Sequence, residues 1–208
     1  PAQEVGGDFY DFIPLEHDKI GIVIGDVSGK GVPAALYMAR LGSDLRTFAF
    51  TEKGPGDALA RLNNILVERS RRGMFATLLY AELDAKDHGF VISNAGHLPP
   101  FIRRKNGEII RLQASVGVPL GILPGMRFGL ERAVLERGDI MLLYTDGIVE
   151  AMNQDGRQFG LDRLESLLRQ NDGNAEALQS EIIQAVNRFT GIAPRHDDMT
   201  LVCIGAGR

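Results

Sequence analysis

An α+β domain is the fold class this sequence predicts, and three patterns predict it. Short apolar runs of strand type fill the stretch from Phe75 to Tyr144, one pair of helix-period segments precedes that stretch, and a second pair follows it. Helix pairs bracketing antiparallel strands predict sheets packed together with helices outside. The chain has 208 residues, 44% of them apolar, enough for a substantial core in a single domain spanning 1–208.

Asp8 to Ile13 and Lys19 to Gly25 are short β-type runs separated by the polar turn Glu16-His17-Asp18, which predicts a hairpin. Pro33 suits a first helical position and opens a helix through about Phe50. Gly54-Pro55-Gly56 separates it from a second helix, Asp57 to Arg71, with Leu59, Leu62 and Leu66 on one stripe and Arg69, Arg71 and Arg72 at its C-terminal end, where cations complement the dipole. Strands follow at Phe75–Leu83, Phe90–Ser93, Phe101–Arg104, Glu108–Leu112, Met126–Leu135 and Ile140–Tyr144, with turn-rich separators such as Asp87-His88-Gly89 and Lys105-Asn106-Gly107. Two helices come next, Leu161–Gln170 and Ala175–Phe189, the latter striped by Leu178, Ile182, Ala185 and Phe189. Met199–Gly205 is the closing strand.

Charge and composition narrow the function classes. With 23 basic and 27 acidic residues the net charge is −4, and no basic block could track a nucleic acid backbone, so nucleic acid is not an expected partner. No run approaches the roughly 18 apolar residues of a membrane span and no leader opens the chain, so membrane contact is not expected and a cytoplasmic location is. The lone Cys203 excludes an internal disulfide, fits a reducing compartment and reads as a small buried hydrophobe. The chain starts on Pro1 and enters a structured-looking segment almost at once, as a catalytic domain cut from a longer chain with N-terminal regulatory domains would.

The residues that carry chemistry are acids at strand ends. The aliphatic run Ile20 to Gly25 delivers Asp26, and the run Ile140 to Tyr144 delivers Asp146 just beyond Thr145. Asp8 opens a strand after Gly6-Gly7, and Asp197-Asp198 precede the closing strand. Any one Asp beside Gly is ordinary turn chemistry. Four acids at the ends of apolar strands would repel one another if they converged, unless a cation neutralised them, and hard oxygen donors suit Mg²⁺ or Mn²⁺. Gly25 to Gly31 invites comparison with a phosphate-binding loop, but counting back from Gly29-Lys30 the first glycine is one residue too close, and Gly31 stands where Ser or Thr should hold Mg²⁺.

Five segments, Glu4-Val5-Gly6-Gly7-Asp8-Phe9-Tyr10-Asp11, Gly25-Asp26-Val27-Ser28-Gly29-Lys30-Gly31, Asn94-Ala95-Gly96-His97, Tyr144-Thr145-Asp146-Gly147 and Asp197-Asp198-Met199-Thr200, occur in the order seen in the PPM family of metal-dependent serine/threonine phosphatases. The chain resembles the bacterial branch typified by RsbU and SpoIIE over nearly its whole length. The resemblance implies an α-β-β-α sandwich, two antiparallel sheets flanked by helix pairs, with a centre of two Mn²⁺ or Mg²⁺ ions. By position, Asp26 resembles the carboxylate bridging the ions and the Val27 carbonyl the backbone ligand. Asp146 and Asp197 resemble ligands of one ion and Asp8 the acid of the other, while Glu150 could help hold a third. Two departures stand out. Ser28 occupies the position of a histidine that protonates the leaving oxygen in the eukaryotic branch, and no arginine precedes Asp8, where Gln3 stands five residues before it. His97 and His196 are candidates for the missing proton donor, each with a bland reading as a loop hydrogen-bonder, and Lys30 reads most simply as a solvated lysine.

The resemblance implies hydrolysis of phosphoserine or phosphothreonine on a partner protein, in this branch a STAS-domain anti-sigma-factor antagonist of a partner-switching pathway. A catalytically weak scaffold that binds the phosphoprotein is the alternative, and a phosphatase of small esters a third reading. The helices 33–50 and 57–71 are expected to act as a regulatory lever and a homodimer surface, because Leu36, Tyr37, Ala39 and Phe50 fall outside the stripe of Leu41, Leu45 and Phe48.

Overall fold

The computed structural model describes residues 6–69, 73–113 and 117–207. Glu4-Val5 of the first motif, Gln3, Pro1 and the helix-end residues Arg71 and Arg72 lie outside the described residues. In chain order the elements begin with β1 (Phe9–Pro14), β2 (Lys19–Val27), α1 (Val32–Thr51), α2 (Pro55–Arg69), β3 (Ala76–Asp84) and β4 (Gly89–Ala95). They continue with β5 (Phe101–Arg103), β6 (Ile109–Arg111), β7 (Glu131–Val134), β8 (Ile140–Tyr144) and α3 (Asp146–Val149). The last are α4 (Leu161–Gln170), α5 (Ala175–Thr190) and β9 (Leu201–Gly205). Two antiparallel sheets result, one ordered β1-β2-β3-β4-β7 and the other β6-β5-β8-β9.

The chain divides into two compact units, each holding one sheet. The first draws on residues up to Pro99 and on Gln113–Val134. Its hairpin forms as expected, with His17 and Asp18 both left-handed in the turn (φ 60° and 59°), a conformation a short polar side chain such as Asp tolerates. β2 pairs with β1 from Phe9↔Gly25 to Pro14↔Ile20 and with β3 from Lys19↔Asp84 to Val27↔Ala76. On the helix-covered face Val23, Leu78 and Tyr80 pack in one core with Leu41 and Leu45 of α1 and Leu59 and Leu62 of α2, all fully buried. Each such side chain contributes about 1.5–3 kcal/mol relative to exposure. Tyr80 fits because Gly21 leaves room, a Cβ there falling 3.1 Å from the ring. Asn63 of α2, wholly buried, accepts from the Gly121 N–H and donates to the Leu123 carbonyl, tying that loop to the helix.

The expected strand Met126–Leu135 is corrected to β7, only Glu131–Val134, which pairs with β4 from Gly89↔Val134 to Ile92↔Glu131. Upstream of it Phe128 is drawn into the core and the Gly129 carbonyl accepts from Ser93 Oγ, so this stretch bonds to side chains and packs instead of extending the ladder.

The second unit comprises Pro100–Leu112 and the chain from Leu135 onward. β8 is buried at all five positions and pairs with β5 on one edge and β9 on the other. Leu164 and Leu168 of α4 and Leu178, Ile182 and Val186 of α5 are buried, so the α5 stripe runs through Val186 while Ala185 and Phe189 are half-buried. Phe189 meets Phe159 edge-on at 5.5 Å, with the Arg163 guanidinium 4.7 Å above its ring. The short helix α3 was not foreseen, since four residues carry no readable period. Burial pushes the Cys203 thiol up to about 12, which keeps it protonated and unreactive.

Asp139, 2% exposed, anchors the loop before β8. Its carboxylate accepts from Arg104 and from the backbone N–H groups of Lys105 (2.9 Å) and Glu136 (2.8 Å). Burial alone would raise its pKa, but these donors hold it below the usual carboxylate value. A depressed folded pKa contributes stability that is present above the unfolded value and lost as pH falls through the folded one. Asp139→Asn is therefore expected to cost about 2–3 kcal/mol at neutral pH. Urea melts should show the gap between variant and parent narrowing on acidification; a gap that stays constant from pH 7 to pH 3 contradicts this account.

Candidate metal centre

In the first unit β2 carries Asp26 next to its end, opposite Thr77 of β3. Pairing with β3 fixes that position, the β1 ladder ending one residue earlier at Phe9↔Gly25, and Asp26 is half-buried. The Gly6-Gly7 segment then runs alongside it. The Val27 N–H donates to the Gly7 carbonyl at 3.3 Å, and a Cβ on Gly7 would fall 2.8 Å from the Val27 oxygen and 3.0 Å from Asp26 Oδ1. Only glycine fits in that gap, so Asp8 begins one residue from the Asp26 carboxylate and the Val27 carbonyl. The backbone at Gly7 thus lies against two of the expected groups and leads directly into the third, Asp8.

The loop after Asp26 is pinned by Ser28, whose N–H donates to the Phe75 carbonyl and whose Oγ accepts from the Phe75 N–H, both at 2.9 Å. His97 is 4% exposed, and its Nδ1 lies 3.0 Å from Thr77 Oγ1. Its own loop is closed by Asn94, which accepts from the His97 N–H at 2.7 Å and donates to the His97 carbonyl at 3.0 Å. Thr77, the residue opposite Asp26, thus ties this histidine to the strand that pairs with the acid. Sequence reading missed Thr77, because cross-strand register cannot be read from local spacing.

In the second unit β8 leads through Thr145, fully buried, to Asp146 at the start of α3. The Thr145 N–H donates to the Thr200 carbonyl at 3.1 Å, and its Oγ1 accepts from the Thr200 N–H at 3.0 Å, which locks the entry of β9 to the exit of β8. A Cβ on Gly147 would lie 1.7 Å from the Asp198 carbonyl oxygen. No side chain can occupy that space, so the Asp197-Asp198 segment packs directly on the first residues of α3. The Asp198 N–H donates to Asp197 Oδ1 at 3.0 Å; Asp198 is buried and Asp197 exposed. Glu150, His196 and Lys30 are exposed.

Each unit thus gathers two of the four expected acids on its own framework. Among the described residues no three His, Cys, Asp or Glu side chains are grouped as a ready-made metal cage. The donor set of carboxylates and a backbone carbonyl is all hard oxygen, and the Gly7 gap leaves the Val27 oxygen and Asp26 Oδ1 uncrowded by a side chain, a cradle suited to Mg²⁺ or Mn²⁺. Among the described residues no helix is long and apolar enough to cross a membrane.

Residues 16–206 match the family model described as Stage II sporulation protein E. Protein IcfG of Synechocystis sp. is 32% identical, covering 98% of this chain and 36% of its own length. Phosphoserine phosphatase RsbU of Bacillus subtilis is 29% identical, covering 98% of this chain and 60% of its own. The chain thus spans less than two thirds of either relative. The structure of the PP2C phosphatase domain and a regulatory fragment of SpoIIE from Bacillus subtilis matches with a TM-score of 0.82 at 23% identity, over 98% of this chain and 59% of that one. RsbX, solved in complex with magnesium, has the same fold, with a TM-score of 0.70 at 17% identity over 97% of this chain and 87% of that one. A family model that matches residues 16–206, from the turn after β1 through β9, together with the PP2C fold itself, places the chain: it belongs to the SpoIIE family of PP2C-type phosphatase domains related to RsbU and SpoIIE.

Proposed function

We propose that this chain hydrolyses phosphoserine or phosphothreonine on a partner protein, with two Mn²⁺ or Mg²⁺ ions held by Asp8, Asp26, the Val27 carbonyl, Asp146 and Asp197. The observation that carries the proposal is the delivery of Asp26 and Asp146 by the buried, doubly paired strands β2 and β8, with the backbone segments of Asp8 and Asp197 packed against them, in a chain of this family. The family resemblance assigns all four acids to one centre. When bound, such ions supply an activated water and neutralise charge on the phosphoryl oxygens. The chain's own part is to hold the acid oxygens rigidly: Gly7 lets Asp8 and Asp26 approach, and Gly147 lets Asp197 approach Asp146. The substrate we infer is a STAS-domain anti-sigma-factor antagonist, on the resemblance to RsbU; the name of that relative, phosphoserine phosphatase, supports the chemistry.

Regulation through α1 and α2 is part of the same reading. α1 opens shortly after Asp26, and while Leu41 and Leu45 are buried, Leu36 is 67% and Phe50 60% exposed. These exposed apolar groups form the partner or homodimer surface we propose, and a shift of α1 changes the setting of Asp26.

Asp26→Asn and Asp146→Asn should each lower turnover of a phosphorylated STAS protein by about 100-fold or more while leaving the melting temperature at or above that of the parent, since each removes ligand charge from a crowd of acids. Full activity in either purified variant would falsify the ligand assignment. EDTA should abolish turnover and Mn²⁺ or Mg²⁺ restore it, and the phosphoprotein should be turned over faster than a generic aryl phosphate; metal-independent activity, or a preference for the aryl ester, counts against the reading. Leu36→Glu and Phe50→Glu are expected to alter self-association or the metal concentration needed for half-maximal activity without loss of thermal stability. If neither property changes, the helices have no regulatory part.

A further inference from the structure

A cleft of about 1290 Å³ opens in the second unit, away from its acids. It lies at the end of the sheet where β8 begins, at Ile140, and β9 finishes, at Gly205. The acids lie at the other end of the same two strands. β8 advances about 3.3 Å per residue, so Tyr144 is already roughly 13 Å from Ile140 before the chain reaches Asp146.

Four cations and three acids line this cleft. Arg103, Lys105, Arg137 and Arg169 line it. Arg103 is the unusual one, because only 3% of it is exposed and a buried charge is costly unless matched. Its Nε donates to the carbonyl of Asn171 at 2.8 Å. Asn171 is the C-cap of α4, so this bond satisfies one helix-end carbonyl and places the cation at the favourable end of the dipole. That accounts for one of the five guanidinium N–H groups. Among the described residues no acceptor takes the other four and no carboxylate pairs with Arg103.

The acids nearby do not neutralise it. Asp139 is engaged by Arg104 and two backbone N–H groups. Asp172 and Glu176 also line the cleft, but both are exposed to solvent. Arg169 has its own partner in Glu165 at 3.4 Å. The cleft also receives the start of α5, a helix of 16 residues whose cap, Asn174, takes only the Ala177 N–H. The N–H groups of its first turn add to the positive field. No aromatic residue lines the space, and Ile140 is its one large aliphatic side chain, so a nucleobase would find no aromatic ring and little apolar surface to pack on.

We infer that this cleft binds a small hydrophilic oxyanion, inorganic phosphate or a compact phosphate monoester, between the Arg103 guanidinium and the first turn of α5, at a site separate from Asp146 and Asp197. A planar guanidinium with free N–H pairs matches the oxygens of such an anion in a way a lysine does not. Lys105 and Arg137, exposed at the same cleft, supply charge. The inference is independent of the hydrolytic reading.

Isothermal titration in EDTA tests it, with inorganic phosphate and free phosphoserine as probes. The parent and Asp146→Asn should both show one saturable site in the millimolar range or tighter, and Lys105→Glu/Arg137→Glu should weaken it at least tenfold while leaving the melting temperature unchanged. Arg103→Gln should abolish it; because that residue also caps α4, the double variant carries the test if Arg103→Gln fails to fold. The tighter of the two probes identifies the source of the phosphoryl group. No saturable binding up to about 10 mM of either probe overturns the inference, and so does binding that is lost in Asp146→Asn yet kept in the double variant.

Discussion

β2 is hydrogen-bonded along both edges, and every acid position in its sheet is measured from that ladder. The strand runs Lys-Ile-Gly-Ile-Val-Ile-Gly-Asp-Val, and its central aliphatic residues are buried on both faces. A one-residue slip would exchange the two faces, moving Val23 out of the helix-packed core. The register is therefore strongly specified by burial, and Asp26 inherits that certainty. β8 does the same for Asp146, with five buried residues and two partners.

Strand ends alone do not bring two acids together; close backbone approach does. Gly7 against Val27 and Gly147 against Asp198 are two of the positions where a side chain has no room. Both lie next to an acid of the pair they create. The hydroxyls of Ser28 and Thr145 reinforce them by taking up backbone N–H groups of Phe75 and Thr200 that lie beside the acid-bearing loops. Polar side chains near these carboxylates thus serve the backbone first. That is consistent with Ser28 standing where the eukaryotic branch keeps a histidine.

Most of the fold was legible in the sequence because its signals are local. Pro33 and the Gly54-Pro55-Gly56 break give the start of α1 and the α1–α2 boundary to within two residues, and the aliphatic runs give β2 and β8. The Met126–Leu135 run misled, since Phe128 looks like strand composition but serves the core. α3 was invisible because one turn of helix has no period, and it depends on Gly147 meeting a carbonyl some fifty residues away. The acids were legible as strand termini. Thr77 beside His97, and the burial of Arg103 in a three-residue strand, were not, because both depend on pairings between distant segments. Arginine in a short strand ordinarily reads as solvent-facing.

The order of the strands has a consequence for how the chain is made. The sheet that holds Asp26 takes its last strand, β7, from beyond β5 and β6, which belong to the other sheet. During synthesis β4 must wait with one edge bare until residue 134 has emerged, by which time the first two strands of the second sheet are already outside the ribosome. A bare edge is a template for wrong pairing. The units are interleaved along the polypeptide, so no cut at a single peptide bond separates the two sheets. Lys86, Asp87 and His88, the polar turn that enters β4, keep charge beside that edge while it waits.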